Sequence, residues 1–249
     1  MLEDDKIFIR DSKNNVDADY QEKLSIITQA ELAEYIFDRQ VTIDRLKALT
    51  DKKVIEKEIH NLFMKQYTKD EEGNYKSNNL WLFDDRFMSY DKVFSEARLK
   101  VIFPKLSENL LKPDILSIVS NTYEKEEITD IVIIELKRPD EKITPAEAQR
   151  QLRSYADYIN HSREFNNKIR IWAYAFLSFN PDTERDLRLD EYNTIPTNSK
   201  YPIYYKYSHA TNIIINFLDY TSIAFDADNR NKTFMKILSG DTIKNNTND

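Results

Sequence analysis

The chain of 249 residues contains no cysteine, only two glycines and three histidines. Zero cysteines exclude a disulfide framework and thiolate-bound zinc. His60, His161 and His209 are too scattered to suggest a histidine zinc site. Gly73 and Gly240 lie far apart, so neither GxGxxG nor a P-loop is present, and no glycine-rich loop cradles a nucleotide. No apolar run reaches the ~18 residues that a membrane span needs. The acidic, polar start "MLEDDKIFIRDSKNN" does not read as a secretory signal, so the expected location is cytoplasmic and away from membranes. The net charge of −7 argues against broad nonspecific attraction to nucleic acid but leaves room for a local basic groove.

What is present is 41% hydrophobic and 32% charged, enough for a core beneath a strongly charged surface. Thr28 and Glu31 fit a capping box, and apolar spacing predicts one bent helix or two over 29–67. "LWLF" (80–83) reads as a short strand, 85–99 as a helix and 113–119 as a strand. Residues 121–128 read as a charged turn, and 129–137 as the most apolar strand. Thr144, Pro145 and Glu147 open a helix. A strand over 168–179, a long loop from 180 to 200, a late strand pair and a final helix follow. The order predicts an α/β fold with a mixed central sheet and an N-terminal helical extension.

"ITDIVIIELKRPD" (128–140) carries the chemistry. Residues two apart on a strand share a face, so Glu135 and Lys137 point one way, and Ile134 and Leu136 the other. A charged pair at the end of an apolar strand is costly to desolvate without partners. Asp114, behind Pro113 at the start of the preceding strand, can converge on Glu135 if the two strands pair. Adjacent carboxylates repel, and a divalent cation relieves the repulsion. Mg2+, which keeps several waters, needs little more than two carboxylates and a carbonyl. Lys137 beside it could orient or deprotonate an attacking water.

"PD" at 113–114 followed by "ELK" at 135–137 resembles the PD-(D/E)xK nuclease superfamily signature. Gln151 and Tyr155 resemble the QxxxY pattern of many members, and the element order is similar to their αβββαβ, restriction-endonuclease-like core. The segments "EKEIHNLF", "NLWLFDDRF", "VIIELKRP", "QLRSY" and "DADNRNKTFMKIL" further resemble bacterial proteins in which such a domain follows a GHKL-type ATPase. The resemblance implies a lead-in or connector over 1–50, the nuclease domain over 51–240 and a flexible tail over 241–249. It implies Mg2+ (or Mn2+ in its place) on Asp114, Glu135 and the Leu136 carbonyl. Lys137 then acts on water and Gln151 supports the site. A further acidic residue is implied on the first core helix, where Glu58 is preferred to Glu56. Arg138, Lys142, Arg150 and Arg153 could contact DNA phosphates, or form a solvated face paired with Glu147 and Asp157. The expected activity is hydrolysis of DNA in bacterial defence, restriction or repair. The expected partners are DNA, an activating ATPase module and a second copy of the chain. The competing expectation is a catalytically silent module of the same fold that binds DNA or a partner.

Overall fold

The computed structural model describes residues 18–50, 56–74, 76–106, 109–123, 126–139, 143–162 and 168–239. Lys142 and the tail 241–249 lie outside the described residues. Among the described residues two compact units are present: one within 44–227, and one of 18–43 with 228–239.

The helices are α1 (Ala18–Thr50), α2 (Glu56–Phe63), α3 (Leu99–Ile102), α4 (Pro145–Asn160), α5 (Pro181–Leu189) and α6 (Tyr220–Ser239). The strands are β1 (Lys69–Asp70), β2 (Lys92–Ser95), β3 (Ile115–Tyr123), β4 (Glu126–Leu136), β5 (Lys168–Leu177), β6 (Asn193–Ile195), β7 (Ile203–Ser208) and β8 (Ile213–Asp219). All eight strands form one sheet in the order β1-β2-β3-β4-β5-β8-β7-β6. β2, β3 and β4 are antiparallel neighbours, whereas β4, β5 and β8 run parallel. The protein is therefore an α/β structure with a mixed sheet and an N-terminal helix.

The central strands are apolar on both faces because both are covered. Ile131 and Ile133 of β4, with Ile171 and Ala173 of β5, pack with Ala148, Leu152, Tyr155 and Ile159 of α4. The other face holds an aromatic stack: the Phe63 and Phe83 rings lie 4.6 Å apart, and those of Phe83 and Phe176 4.4 Å apart. α4 starts where the sequence places it. Thr144 accepts from the Glu147 N–H, the Glu147 carboxylate accepts from the Thr144 N–H, and Pro145 occupies the first turn. In the smaller unit, α1 and the end of α6 meet through Asn231, which donates to Gln40 Oε1 (3.0 Å), and through Arg39, 5.3 Å from the Phe234 ring centroid.

Several local expectations give way. "LWLF" is a 3-10 turn over Leu80–Leu82, because Asn79 fixes the chain through Leu62 O and Trp81 Nε1 and all three residues are buried. A four-residue apolar run carries no periodicity to separate the two states. The stripe over 85–99 is no single helix. A 3-10 turn capped by Asp84 (Asp85–Met88) comes first, then β2, whose ladder with β3 overrides the helical spacing, then α3. The expected turn at 121–128 is mostly strand, since β3 and β4 pair out to Tyr123 and Glu126. The expected loop after Phe179 contains α5, with Asn180 as N-cap and Pro181 in its first turn, and β6. Thr28 is no cap: α1 already runs through it, and its hydroxyl donates to Leu24 O.

Candidate functional site

The β3–β4 register places Ile115 against Ile134, so Asp114 stands opposite Glu135. Residues directly opposite in an antiparallel pair share a face. Asp114 is 9% exposed and Glu135 1%. Asp114 Oδ2 accepts from the Leu136 N–H at 2.7 Å, which ties the start of β3 to the end of β4. Its carbonyl accepts from the Glu96 N–H (2.8 Å) and lies 3.1 Å from His60 Nε2.

Glu135 projects from the face of β4 that carries Ile131 and Ile133, so it meets α4. Its Oε2 accepts from Lys137 Nζ at 3.1 Å and from Gln151 Nε2 at 3.0 Å. Lys137 also donates to Gln151 Oε1 at 3.0 Å. Gln151 Nε2 reaches the Tyr155 hydroxyl (2.8 Å), which donates to Lys112 O (3.2 Å). Gln151 and Tyr155, one helical turn apart, therefore both face the carboxylates. The Lys137 backbone is held on two sides: its N–H donates to Phe176 O (3.0 Å), and its carbonyl accepts from the buried Tyr220 hydroxyl (2.8 Å).

Glu135 Oε1 is buried and has no hydrogen-bond partner. Burial, with the Asp114 charge beside it, pushes the Glu135 carboxyl up to about 8. Burial also raises Asp114, against the opposing effects of the Leu136 N–H, His60 and Lys137. Tyr155 is raised by burial and by the Glu135 charge, so it remains a neutral hydroxyl.

This donor set fits a divalent cation. Two buried carboxylates of raised pKa face each other, and one oxygen lacks any donor; a hard cation accepts such oxygens. A second grouping exists, since His60, Glu96 and Asp114 each offer a ligand atom within 4.8 Å of the others. Its members are already occupied. The His60 ring nitrogens lie 2.9 Å from Met64 O and 3.1 Å from Asp114 O. Glu96 is held by Lys112 and by Gln66 Nε2. Glu135 Oε1, by contrast, has no such partner.

Asp114, Glu135, Lys137 and Gln151, expected from sequence, come together. Glu58 does not join them: like Glu56 it is exposed, but it lies two residues from His60 and so on the other side of α2. Glu56 shares the His60 side, and its charge acts on the Tyr220 hydroxyl that holds Lys137. Arg150 and Arg153 line a shallow groove on a different face of α4 with Gln149 and Asp157. The Gln149 amide bridges Arg153 and Tyr192. Arg138, directly after Lys137, is half-buried. Glu96 and Tyr220 escaped the sequence reading. Only strand pairing brings Glu96 to Asp114, and nothing in the motif spacing points to Tyr220, which lies 83 residues beyond Lys137.

No family model matches the chain, and neither the curated proteins nor the solved structures include a significant match.

Proposed function

We propose that this chain is a Mg2+-dependent nuclease of the PD-(D/E)xK type that hydrolyses DNA phosphodiester bonds. One observation carries the reading: the buried, partnerless Glu135 Oε1 beside Asp114, on the carboxyl whose other oxygen Lys137 and Gln151 hold. Asp114, Glu135 and the Leu136 carbonyl would hold the cation. When bound, it supplies Lewis-acid polarisation of a phosphate and makes a water more acidic. The residues of the chain do the rest. Lys137, tethered by Glu135 and Gln151, keeps its ammonium beside the carboxylates, where it orients a water or neutralises a phosphate oxygen. Gln151 fixes both partners, and Tyr155 fixes Gln151. Tyr220 holds the backbone that carries Lys137. Glu56, rather than Glu58, is the acidic contributor from α2. Arg138, directly after Lys137, contacts a phosphate and so helps to position the duplex without reading its sequence, whereas Arg150 and Arg153 face away from the carboxylates.

The role follows from the same reading: degradation of foreign DNA in the cytoplasm of a bacterium, under the control of an ATPase module. Supercoiled plasmid incubated with the protein tests the activity. Conversion to nicked or linear DNA should require Mg2+ or Mn2+ and stop with EDTA. Lys137→Ala should lower the rate by about 10²–10⁴-fold, the range for a positioned proton-transfer group. Intact plasmid under all these conditions, with or without candidate ATPases, would favour the silent binding module.

A further inference from the structure

Tyr67 and Glu96 both hold the left-handed backbone conformation, with φ of 60° and 55°. That conformation favours glycine, because a Cβ crowds the backbone there. The surroundings impose it at both places. Beside Tyr67, the Gln66 N–H donates to Asn61 Oδ1 at 2.9 Å and the Thr68 carbonyl accepts from the Ser95 N–H at 2.9 Å. The Glu96 N–H donates to the Asp114 carbonyl at 2.8 Å, and Gln66 Nε2 donates to Glu96 Oε1 at 3.1 Å. The two strained residues are thus joined to each other and to the start of β3. Backbone strain of this kind is kept at ligand clamps and active sites.

What the strain presents is the Tyr67 ring, which is 74% exposed. Lys112 Nζ lies 5.3 Å from the ring centroid and pairs with Glu96 Oε2. Glu96, with the Asp114 charge behind it, holds the Lys112 ammonium above its usual range. The Lys112 side chain is 38% exposed, and an ammonium has three donors, so it can reach a second anion. Tyr67 and Glu96 also line a groove of about 770 Å3 with Phe94, Val101, Ile102 and Ile118. Its lysines are offset, since Lys69 and Lys92 both pair with Glu71, at 2.7 and 3.3 Å. The groove therefore suits the apolar face of an aromatic ring rather than a run of phosphates.

We infer that this groove receives an unpaired base of the DNA strand at the carboxylate site, with the base stacked on Tyr67 and an adjoining phosphate on Lys112. In a closed duplex the base faces are stacked on one another and out of reach of a side chain. The strand that enters is therefore a single-stranded stretch, an overhang or a frayed end. The inference rests on the nuclease reading of the neighbouring carboxylates and names the form of DNA that they take.

Single-stranded and blunt duplex oligonucleotides of one sequence, fluorescently labelled, test it by anisotropy with the Lys137→Ala protein in Mg2+, so that neither is cut. The single strand should bind at least about tenfold more tightly. Tyr67→Ala in that background should remove the preference, a loss of about tenfold for one stacked base, and Tyr67→Phe should keep it. Tyr67→Gly should bind as Tyr67→Ala does yet melt no lower than the parent, because glycine relieves the strained backbone. Lys112→Ala should lower the slope of log affinity against log salt by about 0.7, the share of one phosphate on a single strand. With Lys137 intact, Tyr67→Ala should raise KM for single strands and leave kcat nearly unchanged. Binding that depends on Tyr67 without any cleavage would support the base subsite and sink the nuclease reading. Equal binding of the two DNA forms, or cleavage of single strands that Tyr67→Ala leaves unchanged, would overturn the subsite and leave the nuclease reading standing.

Discussion

Glu135 is a side chain that the molecule keeps at a cost. Its carboxyl is 1% exposed, with one oxygen lacking a donor and a second carboxylate opposite. A glutamine there would accept and donate, and an apolar residue would pack. The Lys137 ammonium meets one oxygen at 3.1 Å, and the other, Oε1, is left for a second positive group. The pH dependence follows. The folded-state pKa of about 8 lies above the ordinary 4.5, so the folded protein binds the extra proton. That stabilising difference is fully present below the unfolded value near 4.5 and is lost as pH rises towards 8. Asp114, also raised, acts in the same direction. The melting temperature of the metal-free protein should therefore fall across that window, and Glu135→Gln should flatten the fall. The stabilisation added by Mn2+ should grow over the same window, because cation and proton compete for one carboxyl. A melting temperature that rises from pH 5 to 8 without metal would contradict this account. The two α2 acids give a second check. Glu56→Ala should weaken Mn2+ binding, followed by calorimetry, by about 10-fold, as loss of an outer partner commonly does. Glu58→Ala should leave it unchanged, and the reverse result would move the acidic contributor to Glu58.

At the scale of elements, α4 brings Gln151 and Tyr155 to the carboxylates. Its start depends on the reciprocal bonds between Thr144 and Glu147, which hold the Glu147 carboxyl below its usual range. Thr144→Ala should cost about 1 kcal/mol in chemical denaturation. Much of this level was legible. The Thr-Pro-x-Glu signal marks α4 in one place, and the apolar run of β4 ends at the two charges that matter. The face shared by Glu135 and Lys137 follows from strand alternation alone. Other elements were hidden for physical reasons. Residues 92–95 hold a helical spacing, but pairing with β3 decides their state. "LWLF" is buried all round, so nothing alternates. The α5 start repeats the α4 grammar, with Asn180 as N-cap and Pro181 after it, and was masked by the turn residues that surround it. At the site, the choice between Glu56 and Glu58 rests on where α2 begins and which side it buries, and apolar spacing alone left that open. Glu96 and Tyr220 are tertiary contributions with no local mark.

At the scale of the whole molecule, the sheet brings the end of one strand against the start of its antiparallel neighbour, and a parallel neighbour continues the ladder past Lys137. Asp114 and Glu135 face each other only because β3 and β4 are in this register; a slip of one residue would turn one of them to the opposite face. The net charge of −7 means that any hold on DNA must come from local cations such as Arg138 rather than from the field of the protein. Among the described residues, no helix is long and apolar enough to cross a membrane. The account depends most on two carboxylates acting as one cation site. Crystals soaked in Mn2+ and measured at the manganese edge test this directly. An anomalous peak between Asp114 and Glu135, next to Oε1, is the predicted result. No peak there, or a peak only among His60, Glu96 and Asp114, would contradict it.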